Sequence, residues 1–475
     1  MRERLAAVGD AVARAFDRGG VISAARFDRT MGLAWPRIVT GLAIMSKQTV
    51  DLALVGATVG ASAVAGLAFA YAYWQLAKFL AIGLAGGTVS LVSQNYGGDE
   101  AGRASMVVKQ SLWVALAFAV PIVTGYVVFA EELVGLLGDA PGPIGYGSTY
   151  LVIVAPALLF EFGNLVASRT YAGAGDTFTP MVIRAGGGLL NIIISGALVF
   201  GYGMGVVGVA IGTLASTVAV AFILAWGMLG RSYGLPGMAA SPVPVVLGGQ
   251  QFDRELAGQL LTVSAPLMAR RVSEMVVVFP LLWIASAFGP VVVAALEVGR
   301  RVRGLVNSFS WGFSIASSTL VGQALGAGDE AEADAFGAAI VRLSGVVYLA
   351  VAVFVIAFAT PIASVFVDGS EAVGAATAFV RVAAISAIAL GVDGSATGAL
   401  RGAGDTTVPF VASLLGRYGF ALPAAIVGLL TPVGVVGLYL ALVLEALVPA
   451  LVNLWRFRTG QWKAISRAYR PSPSD

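Results

Sequence analysis

Few side chains in this sequence can do chemistry, and those that can stand in unusual places. Asp51 lies in an apolar stretch fifteen residues after Pro36 (51 − 36 = 15), with Lys47 one helical turn before it. Glu274 follows Pro266 by eight residues (274 − 266 = 8), with Arg270 one turn earlier. Asp393, Glu161 and Glu445 are also embedded among apolar residues, and Glu297 sits beside Arg300 and Arg301. There are 0 His and 0 Cys. That excludes disulfides, thiolate metal sites, haem ligation and a serine–histidine pair. It also leaves carboxylates as the groups able to couple to protons near neutral pH.

Each of these acids admits two readings. An ionisable group in mid-helix within a bilayer costs roughly 2.5–3.5 kcal/mol on insertion scales, so its presence needs a reason. For Asp51 the structural reason is a pair with Lys47 on the same helix face. The functional reason is a carboxyl that takes up and releases a coupling ion, H⁺ or Na⁺. Glu274 has Arg270 as its local partner, and Glu297 with its two arginines reads as a salt-bridged group. Glu161 and Glu445 are isolated in sequence and carry no reading.

The elements that must position these residues are set by composition. A mean hydropathy of +0.87, 58% apolar residues and 12% charged residues are incompatible with a water-soluble globular domain. Apolar stretches at 32–57, 62–93, 106–130, 148–171, 180–201 and 205–229 are followed by others at 256–284, 289–322, 338–362, 376–400, 408–430 and 434–456. Each is long enough, at ~1.5 Å per residue, to cross ~30 Å of hydrocarbon. They predict an all-α integral membrane protein of twelve transmembrane helices.

The two sets of six are one half-molecule written twice. Gly173-Ala174-Gly175-Asp176-Thr177 with Pro180 returns as Gly402-Ala403-Gly404-Asp405-Thr406 with Pro409 (402 − 173 = 229). Gly205-Val206-Val207-Gly208 returns at Gly434-Val435-Val436-Gly437, and Gln94 at Gln323, with the same offset. An even number of helices per half predicts two pseudo-symmetric six-helix lobes in parallel orientation. The twin loops predict tight turns made by their glycines, with Asp176 and Asp405 capping the helices that Pro180 and Pro409 begin. They lack the Lys-Ser/Thr of a nucleotide-binding loop.

The same offset aligns Asn164 with Asp393, and Tyr71 and Trp74 with Arg300 and Arg303. The aromatic pair suits flat or cationic compounds, and the arginines suit an anionic group, in a substrate cavity. Packing or lipid contact is the plain alternative for the aromatics. With Lys47, Lys78, Arg270 and Arg271 also inside the spans, a purely cationic substrate is not the default.

Loops set the orientation. The connections near 58–61, 131–147, 202–204, 285–288, 363–375 and 431–433 hold no Lys or Arg. The opposite ones hold Arg103, Arg169, Arg231, Arg254, Arg401, Arg456 and Arg458. Basic residues stay cytoplasmic, so both termini face inward in a multi-pass inner (plasma) membrane protein. The organisation read from these patterns is a basic amphipathic segment 1–31 on the membrane surface, lobe 32–230, linker 231–255, lobe 256–456, and an interfacial tail 457–475 ending in a Pro-Ser tip.

Taken together, the paired motifs, the six-plus-six layout, Pro36 followed by Val50-Asp51, and Leu400-Arg401-Gly402-Ala403-Gly404-Asp405-Thr406 resemble the multidrug and toxic compound extrusion (MATE) transporters over nearly all of 32–456. The resemblance implies a V-shaped pair of lobes around a central cavity. It also implies antiport, with inward H⁺ or Na⁺ driving export of amphiphilic organic compounds. Asp51 matches the acid of the family's first helix, Asn191 and Thr213 fall where related members place its polar partners, and Ser195 stands where a second acid is expected. Na⁺ at this place would be met by Asp51, Asn191 and main-chain carbonyls; no other metal site is implied. Glu274 matches a seventh-helix glutamate, and Asp393 lies on the tenth helix nearer Arg401 than that helix's usual acid.

The reading calls for no enzyme activity, no cofactor besides the coupling ion, no nucleic-acid partner, and a chain acting as a monomer. The alternative is a flippase for a lipid-linked oligosaccharide or another amphiphilic anionic lipid, to which an arginine-rich cavity is also suited.

Overall fold

The computed structural model describes residues 2–138, 140–246 and 248–469, without the side chains of 2–9, 45, 46 and 61. The Pro-Ser tip of the expected tail therefore lies outside the described residues.

A backbone without water must satisfy its own hydrogen bonds, and the chain does so as helices. In order they are α1 (Arg2–Arg18), α2 (Ala24–Thr58), α3 (Ala61–Gly97), α4 (Ala101–Val128), α5 (Ala130–Gly135), α6 (Pro141–Val154), α7 (Ala157–Gly173), α8 (Phe178–Gly196) and α9 (Gly205–Met228). The second half follows with α10 (Arg254–Val276), α11 (Val278–Ser286), α12 (Pro290–Gly326), α13 (Glu330–Ala357), α14 (Ala359–Ser364), α15 (Ser370–Gly402), α16 (Thr407–Leu414), α17 (Leu422–Leu430), α18 (Val436–Arg458) and α19 (Trp462–Tyr469). Short π-helical segments, Ala197–Gly201 and Leu415–Ala421, continue α8 and join α16 to α17.

Among the described residues nine helices are long and apolar enough to cross a membrane, ten if α6 and α7, bent by 54°, count as one span. The other two of the twelve are α10–α11 and α12. Their composition falls short for a clear reason: α10 holds Arg270, Arg271 and Glu274, and α12 holds Glu297, Arg300, Arg301 and Arg303. The break between α10 and α11 comes just before Pro280, whose ring nitrogen has no hydrogen to give to the preceding turn.

Packing divides the chain into an amino-terminal unit, Val39–Tyr96 with Glu100–Met268, and a carboxy-terminal unit, Met1–Ile38 with Gly97–Asp99 and Ala269–Asp475. Sequence halves and packed units thus differ at the first helix of each half. α2 changes unit after Ile38 and α10 after Met268 (268 − 38 = 230), each two residues past its proline, Pro36 or Pro266. Equivalent glycines make room for these crossings. A Cβ on Gly312 would lie 2.7 Å from the Ala34 carbonyl oxygen, and one on Gly83 would lie 2.6 Å from the Met268 backbone. Small residues allow this close backbone approach between membrane helices.

The twin loops are built alike. α7 and α15 end on Gly175 (φ 98°) and Gly404 (φ 86°), in the left-handed region glycine tolerates. The Asp176 N–H then donates to the Tyr171 carbonyl at 2.9 Å, and the Asp405 N–H to that of Leu400 at 2.9 Å, a shared Schellman-type ending. Asp176 Oδ1 accepts from the Thr179 N–H at 2.9 Å, while Asp405 Oδ2 is paired with Arg456 at 2.7 Å.

The terminal segments pack in part within the carboxy-terminal unit. The amphipathic first segment buries Ala13, Ile22 and Phe27 in the core of the carboxy-terminal unit, stacks Phe16 on Phe27, and pairs Arg26 with Glu332 at 2.7 Å. Protein covers this part of the segment, while Val12 is exposed. In the tail Trp462 is buried: it stacks on Phe457 and donates Nε1–H to the Phe457 carbonyl at 2.8 Å. Arg467 holds Glu330, and Lys463 holds Asp334.

Candidate functional site

In the amino-terminal unit four helices deliver one polar cluster. α2 brings Lys47 and Asp51, α3 brings Tyr71, α8 brings Asn191 and Ser195, and α9 brings Thr213. Gly212 sets the α8–α9 distance, since a Cβ there would sit 2.2 Å from Ser195 Oγ. The close approach lets the Thr213 hydroxyl oxygen accept from Asn191 Nδ2 at 3.2 Å and from Lys47 Nζ at 3.3 Å. Tyr150 of α6 lies 3.5 Å from the same oxygen and packs edge-on against Tyr71.

Asp51 is fully buried. Tyr71 donates to its Oδ2 at 3.3 Å, and Lys47 Nζ lies 3.9 Å from that atom, beyond hydrogen-bond range. Asp51 Oδ1, Asn191 Oδ1 and Ser195 Oγ are all buried without a hydrogen-bond partner among the described residues. Native interiors rarely leave such acceptors unmet. Acceptors in this state suit a proton or a small cation.

Beside this cluster is a cavity of about 70 Å³, lined by Lys47, Trp74, Lys78, Glu161, Asn164 and Arg184, among others. Glu161 pairs with Arg184 at 2.8 Å and Lys78 at 3.7 Å. Asn164 donates Nδ2–H to the Thr217 carbonyl at 3.1 Å, leaving its Oδ1 buried and unpartnered among the described residues.

The carboxy-terminal unit treats its acids differently. Asp393 Oδ2 accepts from Arg270 at 2.7 Å and Oδ1 from Asn453 at 2.7 Å. Glu274 is held by Arg271 at 2.7 Å and by Arg270 and Arg417, both at 3.3 Å. Glu445 is held by Arg303 at 3.0 Å and Arg417 at 3.4 Å. Every one of the six carboxylate oxygens has a partner. Arg417 links two of the acids from the π-helical segment Leu415–Ala421, whose wider turn presents it.

Asp51, Asn191, Ser195 and Thr213 are therefore gathered in one unit, and Glu274 and Asp393 in the other. Tyr71 belongs to the Asp51 cluster and Trp74 to the adjacent cavity, while Arg303 is committed to Glu445. Arg401, near Asp393 in sequence, reaches the Ser314 carbonyl and the Ser318 hydroxyl instead. Glu161 and Glu445 stood out in the sequence without a reading, and Arg184, Arg417 and Tyr150 were not singled out. Their partners lie on other helices, and only the repeat offset, which sets Glu445 opposite Ser216 and Arg417 opposite Gly188 (both 229), marks them as sites where the halves diverge.

Comparison with known proteins agrees with this geometry. The MatE family model matches the chain twice, at residues 36–196 and 266–427, once per half and over more than half its length. A probable multidrug resistance protein NorM from Rhodopseudomonas palustris is 28% identical over 449 residues, 90% of each chain. The multidrug resistance protein PmpM of Pseudomonas aeruginosa is 27% identical over 412 residues, 84% of this chain and 83% of that one. The fold matches an outward-facing multidrug resistance MATE family transporter at a TM-score of 0.84 and 20% identity, covering 92% of this chain and 96% of the other. The chain belongs to the MatE family of membrane transporters.

Proposed function

We propose that this protein is a secondary active antiporter that exports amphiphilic organic compounds by alternating access, driven by a small cation that enters and leaves at Asp51. The observation that carries the reading is the buried carboxylate with one unpartnered oxygen, next to the equally unpartnered Asn191 Oδ1 and Ser195 Oγ. A proton or a Na⁺ neutralises such a carboxylate and lowers the cost of its burial. Thr213 positions Asn191 and Lys47 around it, and Tyr71 holds the other carboxylate oxygen. The adjoining cavity, with Trp74, Asn164 and Thr217 in its wall, is the proposed place of contact with substrate in this unit.

Glu274 and Asp393 are proposed as parts of a strut rather than as coupling sites, because arginines already satisfy both. Both termini are proposed to be cytoplasmic, on the side of the basic loops, and the transporting unit to be a monomer. The flippase reading is disfavoured, since NorM and PmpM relatives are named multidrug resistance proteins.

The test is transport of ethidium into inverted proteoliposomes of the purified protein, with ΔpH and ΔNa⁺ imposed separately. Accumulation driven by one of the gradients is expected. Ethidium flux that ignores both gradients would overturn the antiport reading.

A further inference from the structure

The ion network of the carboxy-terminal unit does not balance. Arg270, Arg271, Arg303 and Arg417 answer three carboxylates, those of Glu274, Asp393 and Glu445. Arg300 lies in the field of Glu445, Arg303, Glu297 and Arg417, yet it makes no ion pair among the described residues, and its Nη1 is buried without a hydrogen-bond partner there. Arg401 lies in the field of Arg270 and Arg271 and, among the described residues, bonds to Ser314 and Ser318. Counting Arg301, which holds Glu297 at 3.9 Å, seven guanidinium groups thus face four carboxylates, an excess of three positive charges in this network. Arg417 sits ten residues past the start of α16 (417 − 407 = 10), about 15 Å along the helix and so near mid-bilayer.

Lysine could relieve such an excess by losing its proton, but arginine keeps its charge in proteins. An excess of fixed charge in a medium of low polarity calls for a counter-ion. Guanidinium groups recognise oxyanions with paired N–H donors, and the unmet donor belongs to Arg300.

We propose that Arg300, one helical turn before Arg303 and beside the Arg303–Glu445–Arg417 group, forms an anion-binding site that takes the carboxylate, sulfonate or phosphate group of an amphiphile. This rests on the exporter reading and narrows it: the substrates include amphiphilic anions or zwitterions. The repeat supports a gained function, because Arg300, Arg303 and Arg417 replace Tyr71, Trp74 and Gly188 of the other half. The same chemistry would be met by a free inorganic anion, so the test separates the two sources.

The experiment measures binding of 9-anthracenecarboxylate and of its ring-matched cation, 9-anthracenemethylammonium, to the purified full-length protein in nanodiscs, with sulfate as competitor. Arg300→Gln is expected to weaken carboxylate binding about tenfold or more and to tighten binding of the ammonium compound, while Arg300→Lys restores part of the carboxylate affinity. Arg300-dependent binding of sulfate without binding of the carboxylate would assign the site to a free anion. Wild-type protein that binds neither anion, or anion binding indifferent to both Arg300 variants, would overturn the site. Gradient-driven ethidium transport by the same preparation keeps the two failures apart: lost ethidium transport contradicts the exporter, and retained transport without anion binding contradicts only this inference.

Discussion

The two units are built on one repeated frame, and although Glu161 of the first is held by Arg184 at 2.8 Å, its Asp51 is held quite differently from the acids of the second. Around Asp51 the partners are a phenol at 3.3 Å and an ammonium at 3.9 Å, and one carboxylate oxygen is unmet among the described residues. Around Glu274, Asp393 and Glu445 every oxygen is held, mostly by guanidinium groups at 2.7–3.4 Å. A loosely held acid can exchange a cation; a tightly held one supports the packing of α10, α12, α15 and α18. Asymmetry between duplicated halves is thus visible as a difference in hydrogen-bond saturation, even where both contain buried acids.

The difference can be broken most forcefully in the network. Asp393→Asn or Glu445→Gln would leave buried arginines uncompensated, at a cost of about 3–5 kcal/mol. Thermal unfolding in detergent should show a large fall in midpoint, and a midpoint close to wild type would mean the network is no strut. Packing, unlike charge, is shared by the units. Gly83→Val and Gly312→Val, which push into the Met268 backbone and the Ala34 carbonyl, should each cost about 1–3 kcal/mol, and similar losses at both positions would confirm equivalent crossings.

Asp51→Asn should change stability by no more than about 1.5 kcal/mol, because it loses only a long hydrogen bond and a distant ion pair. A cost as large as that of Asp393→Asn would erase the contrast. At the surface Arg467→Ala, which frees Glu330, should have the smallest effect of these and matter less as salt is added. A salt-independent loss would point to a role for α19 beyond this pair.

Much of the architecture was legible in the residues. The 229-residue offset and the lengths of the apolar stretches set out the twelve helices, while the grouping of Asp51, Asn191, Ser195 and Thr213 was implied by the resemblance to the MATE transporters. The network was legible only in part. Arg270 and Glu274 are one turn apart and announce their pairing, whereas Arg417 meets Glu445 across 28 residues and Arg303 meets it across 142. Helical periodicity tells which residues share a face but not which neighbouring helix that face meets. The surroundings of the terminal segments were illegible for a related reason: an amphipathic helix needs an apolar partner, and sequence does not distinguish lipid from the protein core that buries Ala13 and Trp462.

The central claim is that the coupling ion binds at Asp51 and nowhere among the carboxy-terminal acids. Its most direct test is gradient-driven ethidium accumulation by Asp51→Asn in proteoliposomes, set against ethidium counterflow without a gradient. The account predicts that accumulation under ΔpH or ΔNa⁺ is lost, by at least about tenfold, or ~1.4 kcal/mol, while counterflow persists. Wild-type accumulation by Asp51→Asn under the driving gradient would contradict it.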